Sequence, residues 1–292
     1  MEIFKIFEHD PRSLFTLFDN GMITSNYTIY PLIFKGRYSP QRKLRHFLYP
    51  VFKKILCQKK VDKIQSELKE LYKIDNFESF DKNCRVGENE SPICLLIRND
   101  DIDGFVTYVT QTNIALSGQV KPSIFETNEF LIDKTPKLIE YAAFFGSIQI
   151  FRFLLLNNVE TTEDLLLYAI HGRNADIIHI LESNKIAPKD GNYKKYLFES
   201  IKCHHNEIAN YILNNFIDED IFKPNKYSVI LEKNYYDNVI AYGIEYSNFE
   251  FYPKDLTNKF ILYYSCQFNN LYLIKLLIEE ENLDLNIELI FI

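Results

Sequence analysis

A pattern of small and apolar residues recurs along the second half of the chain, and it constrains the fold more than any other feature of the sequence. Similar segments begin at Tyr141, Tyr168, Glu199 and Tyr264, and the first three starts lie 27 and 31 residues apart. Each segment has small residues near its start and, after a short gap, apolar residues at helical spacing. A pair of short helices cannot bury its own apolar face, so we expect the pairs to stack into an all-α helical solenoid.

Each predicted pair needs a tight turn between its two helices, about four positions after the small residues. Gly and Asn adopt the left-handed backbone conformation that ends a helix, whereas Arg and His fit this position less well. The sequence therefore predicts turns at four positions, two of them with weaker support. These positions are Gly146, Arg173, His204 and Asn269.

Two further pairs bring the expected array to about five or six units. One pair begins at Ser91–Pro92 and places Asp100 at its turn. The other is degenerate, covers residues 230–244 and places Asn234 at its turn. The pattern leaves the unit boundaries between residues 216 and 258 open.

When the predicted pairs are aligned, their equivalent positions (the columns of the alignment) resemble the T-P-L-H-x-A-A-x-x-G core of the ankyrin repeat. Ser91–Pro92 lies in register with the Thr-Pro of that core, Thr135–Pro136 lies two residues early, and the His is absent throughout. The strings EYAAFFGSIQIF, YAIHGRNADIIHILE and IKCHHNEIANYI resemble an ankyrin-like family, without an assigned activity, that is greatly expanded in Trichomonas. This resemblance covers roughly residues 85–292 and implies an ankyrin-like helical solenoid that serves as a binding module.

The resemblance also implies where a partner would bind. The first helix of each pair faces the concave side of an ankyrin-like array, and the columns beside the small residues would supply aromatic anchors there. The same rings could instead fill gaps between neighbouring pairs. The predicted partner-binding residues are Tyr141, Phe144, Tyr168, His171, Glu199, Lys202, Tyr264 and Gln267.

Charge divides the chain into two regions. Residues 1–75 hold 14 Lys+Arg and 8 Asp+Glu, a net charge of +6, whereas residues 76–292 hold the other 19 and 32, a net charge of −13. Residues 1–85 lack the repeat, and an array needs a cap to cover its apolar end. We therefore expect a basic, helical N-terminal cap over residues 1–85 and an acidic ankyrin-like array over residues 86–292.

Two helices are expected within the cap. Gln41–Cys57 and Val61–Tyr72 have helical spacing, and Pro50 is expected to interrupt or kink the first of them.

The same region supports an alternative function, the binding of nucleic acid or of an anionic membrane surface. Over residues 35–60 basic side chains alternate with Tyr38, Phe47, Tyr49 and Phe52. Basic and aromatic side chains together can hold phosphates and bases. Capping of the array is the favoured interpretation of the region, which makes nucleic acid the less favoured partner.

Cys203, His204 and His205 support a second alternative, a metal site or a thiol- and His-dependent activity. Cys and His are common metal ligands and common nucleophile–base partners. Adjacent residues at one helix end point in different directions, however, so they cannot all hold one ion. We therefore expect Cys203 to pack against a neighbouring helix and the two His to form the turn, and we predict no metal ligand, cofactor or catalytic residue.

Several other function classes are not indicated. The motifs GxGxxG, GxxxxGK[ST] and GxSxG do not occur. Neither a run of about 18 apolar residues nor the basic start of a signal peptide is found. Five scattered cysteines without a CxxC pair fit a reducing compartment. The sequence therefore predicts a non-enzymatic, intracellular and cytoplasmic scaffold or interaction module whose partner is another protein.

Overall fold

The computed structural model of the protein describes residues 10–23, 39–132, 134–186, 188, 191–217, 235–252 and 259–281. Within those ranges the regular structure is helical and contains no strand, which confirms the all-α prediction. A 3-10 helix covers Phe249–Phe251. The α-helices are α1 Pro11–Asp19, α2 Ser39–Phe47, α3 Tyr49–Phe52, α4 Gln58–Tyr72, α5 Phe77–Val86, α6 Pro92–Arg98, α7 Ile102–Thr112, α8 Leu138–Phe144, α9 Ile148–Leu156, α10 Leu165–Gly172, α11 Ala175–Ser183, α12 Lys194–Lys202, α13 Asn206–Phe216, α14 Tyr235–Glu245, α15 Lys259–Gln267 and α16 Leu271–Glu281.

Backbone contacts divide the chain into two compact units. Unit 1 comprises Met1–Ala142 and Arg152–Val159, and unit 2 comprises Ala143–Phe151 and Glu160–Ile292. The predicted boundary after residue 85 rests on repeat content and remains a prediction. None of the helices in the described part of the chain has the length and apolar character that a membrane crossing needs.

The N-terminal helices of unit 1 share an aromatic-rich core. Phe15 of α1, Tyr49 of α3, Leu68 of α4 and Phe80 of α5 are all buried in it. Aromatic side chains remove large apolar areas from water, so these residues dominate the stability of this part of the unit.

The helix boundaries in this part of unit 1 follow local signals. The predicted helix over residues 41–57 is interrupted near Pro50, as expected, because α2 ends at Phe47 and α3 begins at Tyr49. Helices α1 and α5 are not part of the sequence prediction. Each begins at a polar cap, where Asp10 and Asn76 accept hydrogen bonds from backbone N–H groups of the first turn.

The predicted turn residues have left-handed backbone conformations. Their φ angles are 49° at Asp100, 67° at Gly146, 51° at Arg173, 56° at His204 and 55° at Asn269. Each lies between the first and second helix of a pair, which confirms the helix–turn–helix prediction at these positions. Arg173 and His204 adopt this conformation despite its unfavourable sterics for a side chain with a Cβ atom.

The degenerate pair differs from its prediction. Asn234, the expected turn residue, lies outside the described residues. Within residues 230–244 the structure instead has most of the first helix of a pair, α14, and the turn after it is at Ser247, with φ of 53°.

Consecutive pairs of unit 2 are joined through their first helices and their turns. Helix α12 packs against α10 on one side and against α14 on the other. The side chain of Asn174 donates to the carbonyl oxygen of Gly146 at 2.9 Å. At the next turns, His204 Nε2 lies 2.9 Å from the carbonyl oxygen of Tyr246. Turn residues therefore satisfy backbone groups of neighbouring pairs.

Small residues permit close approach between these helices. Ala169 and Ser200, two of the predicted small residues, are fully buried. Gly172, at the end of α10, lies so close to Ala143 of the same unit that a Cβ atom there would be 2.1 Å from the carbonyl oxygen of Ala143. A Cβ atom at Gly146 would lie 2.7 Å from the carbonyl oxygen of Gly172. Only glycine fits this approach without moving the backbone.

Candidate functional site

The structure buries three of the four aromatic residues that were predicted to anchor a partner. Tyr141 is 1% exposed, Tyr168 7% and Phe144 8%. The hydroxyl of Tyr141 accepts a hydrogen bond from Arg98 at 3.0 Å within unit 1, and burial raises its pKa. The expected exposure of these three rings is therefore wrong, since they fill the interior instead.

The other predicted partner-binding residues remain accessible. His171, Glu199, Lys202 and Tyr264 are partly buried, and Gln267 is exposed. The structure places His171 and Glu199 in direct contact, as described below. Binding of a partner by these five residues remains a prediction.

The basic N-terminal segment does not present its described aromatic residues to solvent. Phe47, Tyr49 and Phe52 belong to the core of unit 1 and are at most 3% exposed, while Tyr38 lies outside the described residues. These three buried rings cannot stack on bases, so only the basic side chains of the segment still support nucleic-acid binding. Carboxylates also pair with cations of this segment: Lys54 with Asp19 at 2.7 Å, Arg45 with Glu67 at 2.5 Å, and Lys53 with Asp81.

Three side chains with metal-ligating or catalytic potential converge in unit 2. His171 comes from the last turn of α10, and Glu199 and Cys203 come from the last turn and C-cap of α12. The imidazole Nε2 of His171 lies 2.8 Å from Oε1 of Glu199. The Sγ atom of Cys203 lies 3.5 Å from Nδ1 and 3.7 Å from Nε2 of His171, and 3.8 Å from Oε1 of Glu199. We call this group the His–Glu–Cys cluster.

The surroundings hold the imidazole of the cluster in place. The ring of Phe144 stacks on His171, with ring centroids 4.9 Å apart and planes inclined by 25°. The side chains of His171 and Glu199 are 13% and 19% exposed, so the cluster is partly covered and still reachable from solvent.

Burial and charge disfavour a nucleophilic role for Cys203. A Cys, a His and a carboxylate in contact resemble a nucleophile with its base and an orienting acid. Reactive thiols, however, need positive surroundings that lower the thiol pKa. Desolvation, followed by the charge of Glu199, raises the pKa of Cys203 to about 12. The thiol is therefore protonated at neutral pH, which suits neither attack on a substrate nor proton exchange with His171.

His204 and His205 have other partners. His204 is the turn residue described above, and His205 precedes α13, so the two His form the turn as expected. Nε of Arg173 donates to Nε2 of His205 at 3.1 Å. Burial, with the charge of Arg173, lowers the pKa of His205 to about 4, so its ring is neutral and can accept this bond. The predicted alternative was a metal or catalytic site at Cys203 and His204. The structure instead groups Cys203 with Glu199 of α12 and His171 of α10.

A surface groove of about 620 Å³ lies between the second helices of two pairs, α11 and α13. Apolar side chains contribute to its lining, and Tyr211 stands at it with 40% of its side chain exposed. Aromatic side chains and arginine are enriched at protein-binding surfaces, and this groove has both in Tyr211 and Arg173. We call this feature the α11–α13 groove, and its lining includes Arg173, Ala175, Ile178, Glu182, Glu207, Ile208 and Tyr211.

Sequence reasoning misses both features for identifiable reasons. Glu199 and Cys203 are four residues apart, a spacing that places them on one helix face and that the sequence shows. The approach of His171 to these two residues depends on how α10 packs against α12, which the local sequence pattern does not predict. The α11–α13 groove belongs to second helices, whereas the ankyrin resemblance directs attention to first helices.

A scan against protein-family models finds no matching family, and searches of curated proteins and of solved structures find no match. The resemblance to ankyrin-like proteins therefore remains a prediction from the sequence, and the function has to be inferred from the geometry.

Proposed function

We propose that the protein is a protein-interaction module whose α11–α13 groove binds an exposed segment of another protein. The observation that carries the proposal is the combination, in one accessible groove, of apolar side chains with charges of both signs. Such a surface can bury an apolar anchor and orient it through polar contacts.

The size of the groove fits a few partner side chains. About 620 Å³ lies within the range of roughly 300–1,000 Å³ that is usual for binding clefts. Ile178 and Ile208 offer apolar contact to an entering side chain. Tyr211 adds an amphipathic ring of the kind that is enriched at binding hot spots.

The ends of the two helices beside the groove are fixed before any partner binds. Arg173 donates from Nη2 to the carbonyl oxygen of Cys203 at 3.1 Å, in addition to its bond with His205. The side chain of Asn174 caps α11 by accepting from the backbone N–H of Asp176 at 3.0 Å. A surface that is already ordered loses less conformational entropy on binding.

The wider arrangement that we propose is an ankyrin-like array of helical pairs. Its support is the shared left-handed turn and the side-by-side packing of α10, α12 and α14. In such an array the first-helix residues would form a second candidate surface that comprises His171, Glu199, Lys202, Tyr264 and Gln267. The properties of Cys203 described above favour binding over catalysis.

The proposal is tested by comparing four purified baits in a pull-down from the source cells. The groove variant carries Ile208→Gln and Tyr211→Ala, and its matched control carries Ile278→Gln and Tyr263→Ala. Ile278 and Tyr263 are exposed residues of the same two types outside the groove, 49% and 44% exposed, on α16 and α15. Wild type and a first-helix variant, Lys202→Glu with Gln267→Glu, complete the set. Circular dichroism establishes that all four have the same helix content.

A partner that binds wild type and the matched control, and whose Kd rises at least about tenfold with the groove variant, supports the proposal. Loss of binding only with the first-helix variant would move the function to the predicted concave face. Equal capture by all four baits would remove both surfaces.

A further inference from the structure

We propose that the His–Glu–Cys cluster is a binding site for a divalent zinc ion, with His171, Glu199 and Cys203 as its three protein ligands. The ligand atoms of the three residues all lie within 4.8 Å of one another. None of the three ligands lines the α11–α13 groove, and the site does not depend on the proposed partner binding.

Two of the three separations between the ligand atoms match those around a tetrahedral zinc ion, and the third is shorter. Zinc bonds of about 2.0–2.3 Å at tetrahedral angles place neighbouring ligand atoms about 3.5 Å apart. The Sγ atom of Cys203 lies 3.7 Å from Nε2 of His171 and 3.8 Å from Oε1 of Glu199. The third separation, 2.8 Å between Nε2 and Oε1, is that of a hydrogen bond and has to open by roughly 0.7 Å.

The identity of the ligands favours zinc over the common hard cations. Calcium and magnesium bind through several oxygen atoms, and the cluster offers a single carboxylate. Thiolate and imidazole suit zinc. The Cys203 thiol is protonated in the metal-free protein and would release its proton to solvent as zinc binds, after which one thiolate and one carboxylate balance the charge of the divalent ion. Three protein ligands with partial exposure leave a fourth position for water or another ligand, as in open zinc sites.

The backbone holds the three residues from two directions. Glu199 and Cys203 lie on one face of α12 at a spacing of four residues, and His171 reaches them from α10. The stacked ring of Phe144 restricts rotation of the imidazole, and Arg173 binds the carbonyl oxygen of Cys203. These contacts limit how far the ligands can move apart before a metal binds.

The test uses the full chain, purified under reducing conditions and freed of metal with a chelator. Cobalt is added first, because a cysteine thiolate bound to Co²⁺ produces a charge-transfer absorption band in the near ultraviolet. Zinc is then measured by competition with a chromophoric chelator. We expect one equivalent of each metal, a cobalt band that zinc abolishes, and loss of the band in Cys203→Ser. The zinc affinity of Glu199→Gln should fall by about 10- to 100-fold or more.

The matched control is the double variant Cys57→Ser and Cys266→Ser, which removes the two exposed cysteines and should keep both the band and the affinity. The proposal is overturned if wild type shows no thiolate band, if the band survives in Cys203→Ser, or if the control loses it. The wild-type and Glu199→Gln readings decide the matter even if Cys203→Ser fails to fold.

Discussion

The substitution Gly172→Ala tests the close approach that joins the pairs of unit 2. Gly172 ends a helix, and in an unhindered helix Ala is favoured over Gly by up to about 1 kcal/mol. Here the added Cβ atom would lie 2.1 Å from the carbonyl oxygen of Ala143, whereas ordinary contacts begin at 3.4 Å. The two backbones must therefore separate by about 1.3 Å at this point.

This separation determines how far Gly172→Ala should lower the free energy of unfolding. Overpacking a well-filled interior costs about 1–3 kcal/mol. Weakening of the nearby hydrogen bond from Asn174 to Gly146 adds about 1 kcal/mol, which roughly cancels the gain in helix propensity. We expect the free energy of unfolding to fall by about 1–3 kcal/mol, as measured by urea denaturation followed by circular dichroism.

Gly243→Ala is the matched control, because Gly243 also lies in a helix of unit 2. Its added Cβ atom would contact Phe251 at 3.1 Å, which a shift of a few tenths of an ångström relieves. Its effect on stability should stay below about 1 kcal/mol. A Gly172→Ala protein as stable as wild type would refute the close approach of Gly172 to Ala143 within unit 2.

Three further predictions concern single side chains of unit 2. At pH 8, Cys203 should react with N-ethylmaleimide on the order of 100-fold more slowly than a cysteine in an unstructured peptide, because a thiol pKa of about 12 leaves little thiolate. Mass spectrometry of the labelled peptide measures the rate. Equal rates for the two cysteines would contradict the burial of Cys203. The pKa of His205 is about 4 when folded, below its usual 6.5, so the stability that its neutral ring contributes is complete above pH 6.5 and is lost as pH falls through 4. His205→Gln should therefore reduce the acid loss of stability in this window by up to about 3 kcal/mol, and an unchanged pH profile would argue against the pKa shift. Asn174→Ala should lower the melting temperature and reduce the free energy of unfolding by about 1–3 kcal/mol, because it removes both a helix cap and the hydrogen bond to Gly146. Asn184→Ala, at an exposed helix end, is the matched control.

The turns could be read from the sequence because they depend on local conformation. Gly146 and Asn269 are residues that adopt left-handed backbone easily, and the repeat placed Arg173 and His204 in the same column. The repeat was therefore a better guide than the preferences of the single residues. The prediction for the degenerate pair failed because the turn after α14, at Ser247, is not where the spacing of the earlier pairs would put it.

The exposure of side chains could not be read in the same way. A column of aromatic residues beside the small residues is compatible with a binding face or with an interior, and the sequence does not distinguish them. Tyr141, Phe144 and Tyr168 lie in the interior because neighbouring helices pack over them. The basic segment shows the same effect, since Tyr49 and Phe52 alternate with lysines yet point into the core of unit 1.

The candidate sites depend on pairs of helices that are distant in sequence. The spacing of Glu199 and Cys203 was visible, but the third residue of the cluster comes from α10, 28 residues before Glu199. The α11–α13 groove likewise requires two second helices to pack at a fixed separation. Local patterns predict helices and turns, whereas these sites follow from tertiary packing.

Photo-crosslinking in the source cells tests the proposed binding function most directly. The photoreactive residue p-benzoylphenylalanine replaces Tyr211 at the groove or, in the control, Tyr263, and the two tyrosines have similar exposure, 40% and 44%. We expect a discrete adduct with another protein from position 211, which is absent from position 263 and reduced by Ile208→Gln. The absence of an adduct at position 211, or equal adducts at both positions, would contradict binding in the α11–α13 groove.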